Sequence, residues 1–246
     1  MRFVSFVVIS GGQRKAWRKT LNDMQKVLVS WSTGKDSAWT VHVLRQAADV
    51  ELGGLLTTFN EVANRVSMHA VRRALVEAQA ASLGLPLIAV DLPFPCPNEA
   101  YEARMRDAVA AAVANGFTHV AFGDLFLEDV RRYREDRLAG SGLAPVFPLW
   151  RRATPALARE MVGGGLRATL TSVDPKQLDR SFAGRAFDAA FLDALPSGVD
   201  PCGERGEFHT FAWDGPMFRA PIPIGPGGIV ERDGFVFADL LPRNAQ

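Results

Sequence analysis

The 246-residue chain has only two cysteines, Cys96 and Cys202, far apart in sequence and in no CxxC pair. That argues against a disulfide framework or a structural zinc site and fits a reducing cytoplasm. Charge of one sign is scarce as well: 28 Lys and Arg stand against 27 Asp and Glu, a formal net charge of +1. A protein whose main task is gripping a nucleic-acid backbone is therefore disfavoured, and there is no strong nucleic-acid signal. No apolar run approaches the length needed to span a bilayer, so a membrane is not an expected partner. Internal repeats and low-complexity segments are lacking too. Near the N-terminus, residues 3–9 are apolar, but Arg14, Lys15, Arg18 and Lys19 come after them, the reverse of a secretory signal. Residues 1–23 sit outside the pattern that follows and read as a non-core upstream extension, with the protein proper opening at Met24.

What the chain does have is concentrated first in VLVSWSTGKDS, residues 27–37. An apolar run ends in a small turn carrying Gly34, Lys35, Asp36 and Ser37, which reads as a strand delivering a phosphate-binding loop to the start of a helix. Free backbone N–H groups and the helix dipole favour an anion there, and ATP is the first ligand the pattern calls for. A Walker A loop needs a glycine where Val29 stands, and Ser or Thr where Asp36 follows the lysine. The stretch instead resembles the PP-loop, SGGKDS, of the N-type ATP pyrophosphatases, which cleave ATP to AMP and pyrophosphate. Thr33 stands where that pattern usually has its first glycine; Gly34, Lys35, Asp36 and Ser37 match it. Taken alone, the loop also fits a strand-to-helix turn with no ligand.

After the loop, strands alternate with helices. Apolar spacing at Ala38, Val41, Leu44 and Ala48 predicts a helix over 36–48, and residues 52–59 read as a second strand. Met68, Val71, Leu75 and Ala78 mark the buried stripe of a helix stopped by Gly84 and Pro86. Residues 87–92 read as the third strand, PFPCPN as a break, 99–115 as an alanine-rich helix and 118–123 as the fourth strand. In residues 123–150, a helix from about Leu127 puts Glu128, Arg131 and Glu135 on one face, beside the carboxyl end of that strand. Open parallel sheets bind ligands at such ends, although a solvated, salt-bridged helix is the plainer reading of these charges. A helix over 154–165 and a strand over 167–173 complete five strands, the pattern of a parallel, doubly wound sheet. The expected fold is therefore α/β: a Rossmann-like parallel five-stranded sheet with helices on both faces over 24–173, and a smaller C-terminal α+β appendage over 174–246. Within the appendage, 174–195 reads as mainly helical. Residues 207–213, 218–224 and 229–239 read as strands, the last folded about a turn at Arg232, Asp233 and Gly234. Glu207 and His209 fall two apart and share a face if their run is a strand. Glu204 lies just before them in a glycine-framed turn.

With these stretches in view, the chain resembles the diphthine-ammonia ligase family within the N-type ATP pyrophosphatases. The likeness runs from Met24 to Phe218, through the loop at 32–37, the helix RVSMHAVRRALVEAQAASLGLPLI, the segment GDLFLEDVRRYRE with its later PLW, and GVDPCGERGEFHTFAWDGPMF. The last is the most family-specific, similar to the pattern G-x-D-x-x-G-E-x-G-E-F-H-T with G-P-x-F after it. The resemblance implies a sheet of the adenine nucleotide alpha hydrolase type and an ATP-dependent ligase. Such an enzyme adenylates a carboxylate with release of pyrophosphate, and ammonia then displaces AMP to leave an amide. In that family the carboxylate is diphthine, a modified histidine on a translation elongation factor. The implied partners are thus ammonium and a carboxylate substrate, there carried on a protein.

The same resemblance implies roles. Lys35 and the N–H groups of the loop, Thr33 and Gly34 included, are expected to hold the pyrophosphate, with Ser32 and Ser37 donating hydroxyls to phosphate oxygens. Asp36 is expected to help hold Mg²⁺; it also suits a helix N-terminal carboxylate favoured by the dipole. Thr57 and Phe59 are expected at the adenine-side wall, Phe59 being equally suited to the core, and Gly123 and Asp124 beside the nucleotide. Glu204, Glu207 and His209 are candidates to accept a proton from ammonium, to bind it or to grip the substrate, a near-neutral His209 suiting general base work. A turn held by Glu204 and a buried, hydrogen-bonded His209 fit the same residues. His69, Glu128, Arg131 and Glu135 become candidate substrate or nucleotide contacts, and for His69 a packed or capped histidine is as good a reading.

Two other readings stay open. PP-loop enzymes that transfer sulfur to RNA generally need cysteines, for which Cys96 in a proline-rich loop and Cys202 are poor choices. A regulator that holds an adenine nucleotide without turnover would release no pyrophosphate. The alanine- and arginine-rich composition points to a GC-rich genome; a bacterial source has no diphthine, and the acceptor would then be another carboxylate. The β-rich tail, with sheet edges to expose, hints at a homodimer. The N-terminal reading can be checked directly: peptide mapping of the native protein by mass spectrometry is expected to find nothing upstream of Met24, and any such peptide overturns it.

Overall fold

Val27, Leu28 and Val29 are the buried centre of the first strand, and the fold grows from their alternation. Val27 and Val29 enter one hydrophobic cluster, Leu28 a second on the opposite face. The computed structural model describes residues 24–66 and 70–243. The expected extension at 1–23, and Met68 and His69 with it, lie outside the described residues. In chain order the elements are β1 (Gln25–Ser30), α1 (Lys35–Leu44), β2 (Val50–Asn60), β3 (Arg65–Val66), α2 (Arg73–Leu83), β4 (Leu87–Leu92), α3 (Asn98–Ala114), β5 (His119–Ala121) and α4 (Glu128–Leu138). There follow β6 (Ala144–Val146), α5 (Thr154–Gly163), β7 (Arg167–Val173), α6 (Ala189–Asp193), β8 (Phe208–Asp214), β9 (Ile224–Arg232) and β10 (Phe235–Pro242). Among the described residues no helix is long and apolar enough to cross a membrane.

The first sheet runs β4–β2–β1–β5–β6 with all these strands parallel, and β3 pairs antiparallel with Phe59 and Asn60 at the far end of β2. Chain order reverses between β1 and β5, so their carboxyl ends flank the crevice where open sheets take ligands. The second sheet, β8–β7–β10–β9, is antiparallel. The two sheets share a core in which Val27, Trp39 and Leu75 belong to one cluster with Leu170, Phe208 and Phe211. On the other face, Leu28, Val120 and Phe122 cluster with Ala112 of α3 and Leu138 of α4.

The parallel five-stranded sheet is as the alternation predicts, but its fifth strand is a different segment. Arg167–Val173 joins the second sheet, pairing antiparallel with β8 and β10, ahead of the division expected at Asp174. The fifth parallel place belongs to β6, three residues around Pro145, too short to show a period. Proline is tolerated there because β6 is an edge strand whose outer side needs no donor. Residues 174–195, expected to be mainly helical, hold a 3-10 turn at Arg180–Phe182 and the five-residue α6. Pro175 and Gly184 break the run, and Phe182 and Phe187 are buried against Phe191, with ring centroids 5.9 and 5.5 Å apart. Residues 218–223 are irregular, since Pro221 and Pro223 bring no ladder donors. The hairpin turn is as read: Asp233 and Gly234 have φ of 53° and 81°, the positive values that a two-residue turn matching the strand twist requires.

One side chain ties the sheets together. Gln79 of α2 is fully buried; its amide oxygen accepts from Trp31 Nε1 (2.9 Å) and its nitrogen donates to the carbonyls of Thr33 (3.0 Å) and Ala212 (2.6 Å). The Ala212 N–H of β8 donates in turn to the Thr33 carbonyl at 2.9 Å. Glutamine suits the place because one planar group supplies an acceptor and two donors. Gln79→Leu keeps the bulk but strips a hydrogen bond from three buried groups. The Thr33 carbonyl keeps its Ala212 donor, and the change is expected to cost about 2–4 kcal/mol in urea denaturation, an unsatisfied buried group being worth about 1–3 kcal/mol; a variant as stable as the native protein would show that Gln79 is not the joint.

Candidate active site

The chain leaves β1 at Ser30 and turns into α1, whose first residue is Lys35. Thr33 has φ 75°, in the left-handed region, which accounts for the glycine usual in the resembling pattern; a β-branched residue there is strained, and its carbonyl is pinned by Gln79 and Ala212. Close approach dictates the two neighbouring glycines. A Cβ added at Gly34 would stand 3.1 Å from the Thr210 carbonyl oxygen, and one at Gly123 3.0 Å from the carbonyl carbon of Asp36. The loop is thus pressed between β8 and the end of β5.

The loop, the end of β5 and the 202–210 segment enclose a cavity of about 230 Å³. Lys35 is 2% exposed, and its ammonium donates to Asp36 Oδ2 (2.8 Å) and to the Cys202 carbonyl, above the rings of Phe208 (5.3 Å) and Phe187 (5.7 Å). Burial opposes the Lys35 charge most strongly, but the negative groups around it, Asp36 foremost, together outweigh burial and hold the ammonium above its ordinary range. Its backbone N–H is taken by Thr210 Oγ1 at 3.0 Å. Ser32 Oγ donates to Ser37 Oγ (3.1 Å), which donates to the Gly34 carbonyl (3.0 Å). Asp36 Oδ1 and Asp200 Oδ2 are buried and have no hydrogen-bond partner among the described residues.

Glu204 crosses from the second sheet's side to the first. Its Oε1 accepts from the backbone N–H groups of Leu125 (2.7 Å) and Phe126 (3.3 Å), just beyond β5. Burial pushes its carboxyl up to about 7; the Leu125 N–H pulls it back and the Asp36 charge adds to the rise. His209 moves the other way, lowered to about 4 by burial and by Lys35, so its imidazole is neutral at pH 7. The group titrating near neutrality is therefore Glu204 and not the expected His209. Burial also lifts the Cys202 thiol well above its usual range, which keeps it protonated.

Of the residues singled out in the sequence, Ser32, Gly34, Lys35, Asp36, Ser37, Gly123, Asp124, Glu204 and His209 come together as lining of this cavity. Glu207 does not. It is 1% exposed and its carboxylate accepts from the N–H groups of Asp200 and Arg205, both at 2.9 Å, which shapes the turn. Asp200 Oδ1 then accepts from Cys202 N–H (3.0 Å), aiming the Cys202 carbonyl at Lys35. Thr57 spends its hydroxyl on the Trp31 carbonyl (2.9 Å) and Phe59 is fully buried in the core; neither lines the cavity. Glu128 pairs with Arg151 (2.7 Å) in solvent, and Arg131 pairs with Glu135 (2.8 Å) while stacking on Phe147 and Trp150, the salt-bridged helix of the plainer reading. The neighbour that the sequence reading missed is Arg134. It lines the cavity, stacks on Phe122 (4.5 Å) and grips Asp124 through Nε (2.7 Å) and Nη2 (3.3 Å). The available signal was Asp124 itself, a carboxylate at a strand end that needed a cation one or two helical turns away.

A parallel sheet with a Lys–Asp loop at its switch point, closed over by a second, antiparallel sheet, defines a Rossmann-like α/β protein with a loop-centred polar cavity. Comparison with known proteins narrows the class. Residues 25–141 match the diphthamide synthase N-terminal domain and residues 153–233 the diphthamide synthase C-terminal domain. The chain belongs to the diphthamide synthase family. It is 38% identical over 123 residues to the diphthine–ammonia ligase of Danio rerio, a match covering 46% of this chain and 47% of that protein. The corresponding enzyme of Homo sapiens is 31% identical over 120 residues, 46% of this chain and 45% of that protein. The chain thus spans about half the length of these curated relatives.

The raised Glu204 carboxyl has a measurable consequence. Its ordinary value is 4.5 and its folded value about 7, so between them the folded chain holds a proton that the unfolded chain has lost. The contribution of this group to stability therefore falls as pH rises from 4.5 to about 7 and is flat above. Because the depressed His209 works in the opposite direction between about 4 and 6.5 in both proteins, the quantity to measure is the stability of the native protein minus that of Glu204→Gln in urea, which is expected to fall as pH rises across the window; parallel curves would mean that Glu204 titrates normally.

Proposed function

We propose that this chain is an ATP-dependent ligase that forms an amide from a carboxylate and ammonia, with AMP and pyrophosphate as the other products. The observation that carries the proposal is the meeting, in one cavity, of the loop at 32–37 with a carboxyl group titrating near neutrality from the 202–210 segment. The likeness to diphthine–ammonia ligases supports the same reaction class. A carboxylate oxygen attacks the α-phosphorus, the bond to the β-phosphate oxygen breaks and pyrophosphate leaves with the electron pair. Ammonia then attacks the acyl carbon, and AMP leaves.

Positioning and charge stabilisation are what the protein supplies. On this reading the charged Lys35 balances the departing pyrophosphate, with Ser32 and Ser37 as hydroxyl donors, a reading supported by their common place in the cavity lining. Asp36 fits a Mg²⁺ ligand, because its Oδ1 is a buried oxygen without a partner among the described residues. No group of three or more His, Cys, Asp or Glu side chains among the described residues could hold a metal unaided, so the ion would be shared with the phosphates. Bound there, it would neutralise phosphate charge. Glu204, with a carboxyl near 7, is the group suited to take the proton from ammonium, and neutral His209 is suited to hydrogen-bond the acceptor. On this reading the first sheet serves the nucleotide and the C-terminal region serves acceptor and ammonium, in a cytoplasm that the cysteine usage favours.

The test is pyrophosphate release from ATP, Mg²⁺ and ammonium with a diphthine-bearing protein and a panel of free carboxylic acids. Turnover with at least one acceptor is expected, and Lys35→Ala should lower it on the order of 10²–10³-fold with an unchanged circular dichroism spectrum. Unchanged turnover in Lys35→Ala would take the loop out of the mechanism. ATP binding without AMP formation across the panel would move the protein to the class of nucleotide-binding regulators.

A further inference from the structure

α3 is a seventeen-residue helix with a single buried residue, Ala112. Its Tyr101, Met105, Ala108 and Val109 are partly buried against the second hydrophobic cluster, and a groove of about 550 Å³ runs between α3 and α4, the size of a small-ligand site. Tyr101, Met105, Val109, Tyr133 and Leu138 give it apolar and aromatic walls. The rim carries Arg106 and Arg137, the latter paired with Glu102 at 2.6 Å. Phe122 and Arg134 belong to both this groove and the loop cavity, whereas the cavities beside β9 and β10 share no residue with the latter. Phe122 and Arg134 therefore form the wall that the two share.

We propose that the groove between α3 and α4 holds the body of the carboxylate acceptor, an apolar group of side-chain size whose carboxylate passes Arg134 into the loop cavity. This rests on the adenylation reading given above. Displacement at phosphorus is in line, so the attacking carboxylate must lie opposite the departing pyrophosphate. With the pyrophosphate at the loop, the acceptor body has to leave the cavity away from Lys35, through a wall that can pass an anion. Arg134 meets that requirement. A guanidinium has five N–H donors, and Asp124 engages it at Nε and Nη2, which fixes its plane and leaves other donors to meet a carboxylate. The aromatic walls suit a flat or branched apolar body. A free carboxylic acid and a modified residue on a protein share this chemistry.

Met105 is a reporter inside the groove, and Met217, fully buried in the core, is a control. In full-length protein labelled with ¹³C at the methionine methyls, and with the Met105 resonance assigned by Met105→Leu, two probes separate the sources: 3-phenylpropionate as a free acid and a diphthine-bearing protein as the carried form. The Met105 methyl is expected to shift with one of them while Met217 stays still, and to ignore ATP added alone. Ala110→Trp, at an exposed position on the groove wall, should abolish that shift and raise the acceptor KM by about tenfold or more with the ATP KM unchanged. A Met105 shift caused by ATP alone would give the groove to adenosine and overturn the proposal, as would silence with both probes, or an Ala110→Trp variant that is correctly folded by circular dichroism and keeps the native acceptor KM. A probe-dependent shift in a protein that releases no pyrophosphate would keep the groove as a carboxylate site and remove the ligase reading instead.

Discussion

The conformation of the 32–37 loop depends on one peptide carbonyl, that of Thr33, held from two directions by the Ala212 N–H and the Gln79 amide. A left-handed, β-branched residue does not keep such a backbone unaided. The second sheet supplies what the first lacks: Thr210 takes the Lys35 N–H, Cys202 takes the Lys35 ammonium, and Thr210 packs so near Gly34 that a side chain there would have to push it aside. The site is consequently a product of both sheets, and Lys35 and Thr210, 175 positions apart in sequence, are hydrogen-bonded in it at 3.0 Å.

Charge in the cavity is unbalanced in a way that suits its chemistry. Lys35 is buried among Asp36, Asp200 and Glu204, and two of those carboxylates keep a buried oxygen without a partner among the described residues. Buried negative charge in excess of its cations favours either a held proton or an added cation. Glu204 takes the first course, which places its carboxyl near 7, and Asp36 is open to the second. Arg134, fixed on Asp124 at the edge, marks where a further anion can be met.

The loop, the first four parallel strands and the hairpin turn were legible in the sequence because each rests on a local rule: a continuous buried run, helical spacing, or a pair of residues with positive φ. The destination of Arg167–Val173 was not legible, since an apolar strand reads the same in either sheet and only its partners differ. β6 escaped because three residues with a central proline show no period. The GERGEFHT turn was readable as a place but not as a set of roles. Glu204 and Glu207 look alike in sequence, yet one lines the cavity and the other serves two backbone N–H groups from a fully enclosed position. His209 was expected near neutrality, and the cost of desolvating its charge next to Lys35 decided otherwise. Arg134 was hidden behind Arg131, because a helix face is set by contacts that no spacing reveals.

The Glu204 oxygen that accepts from Leu125 and Phe126 is also part of the carboxyl group that titrates near neutrality. An ionised acceptor makes a hydrogen bond about twice as strong as a neutral one. Ionisation therefore strengthens these two bonds, while burial and the Asp36 charge work against it, and the balance leaves the carboxyl near 7. Through that one oxygen, the contact that joins the two sheets and the proton balance of the cavity share a single group.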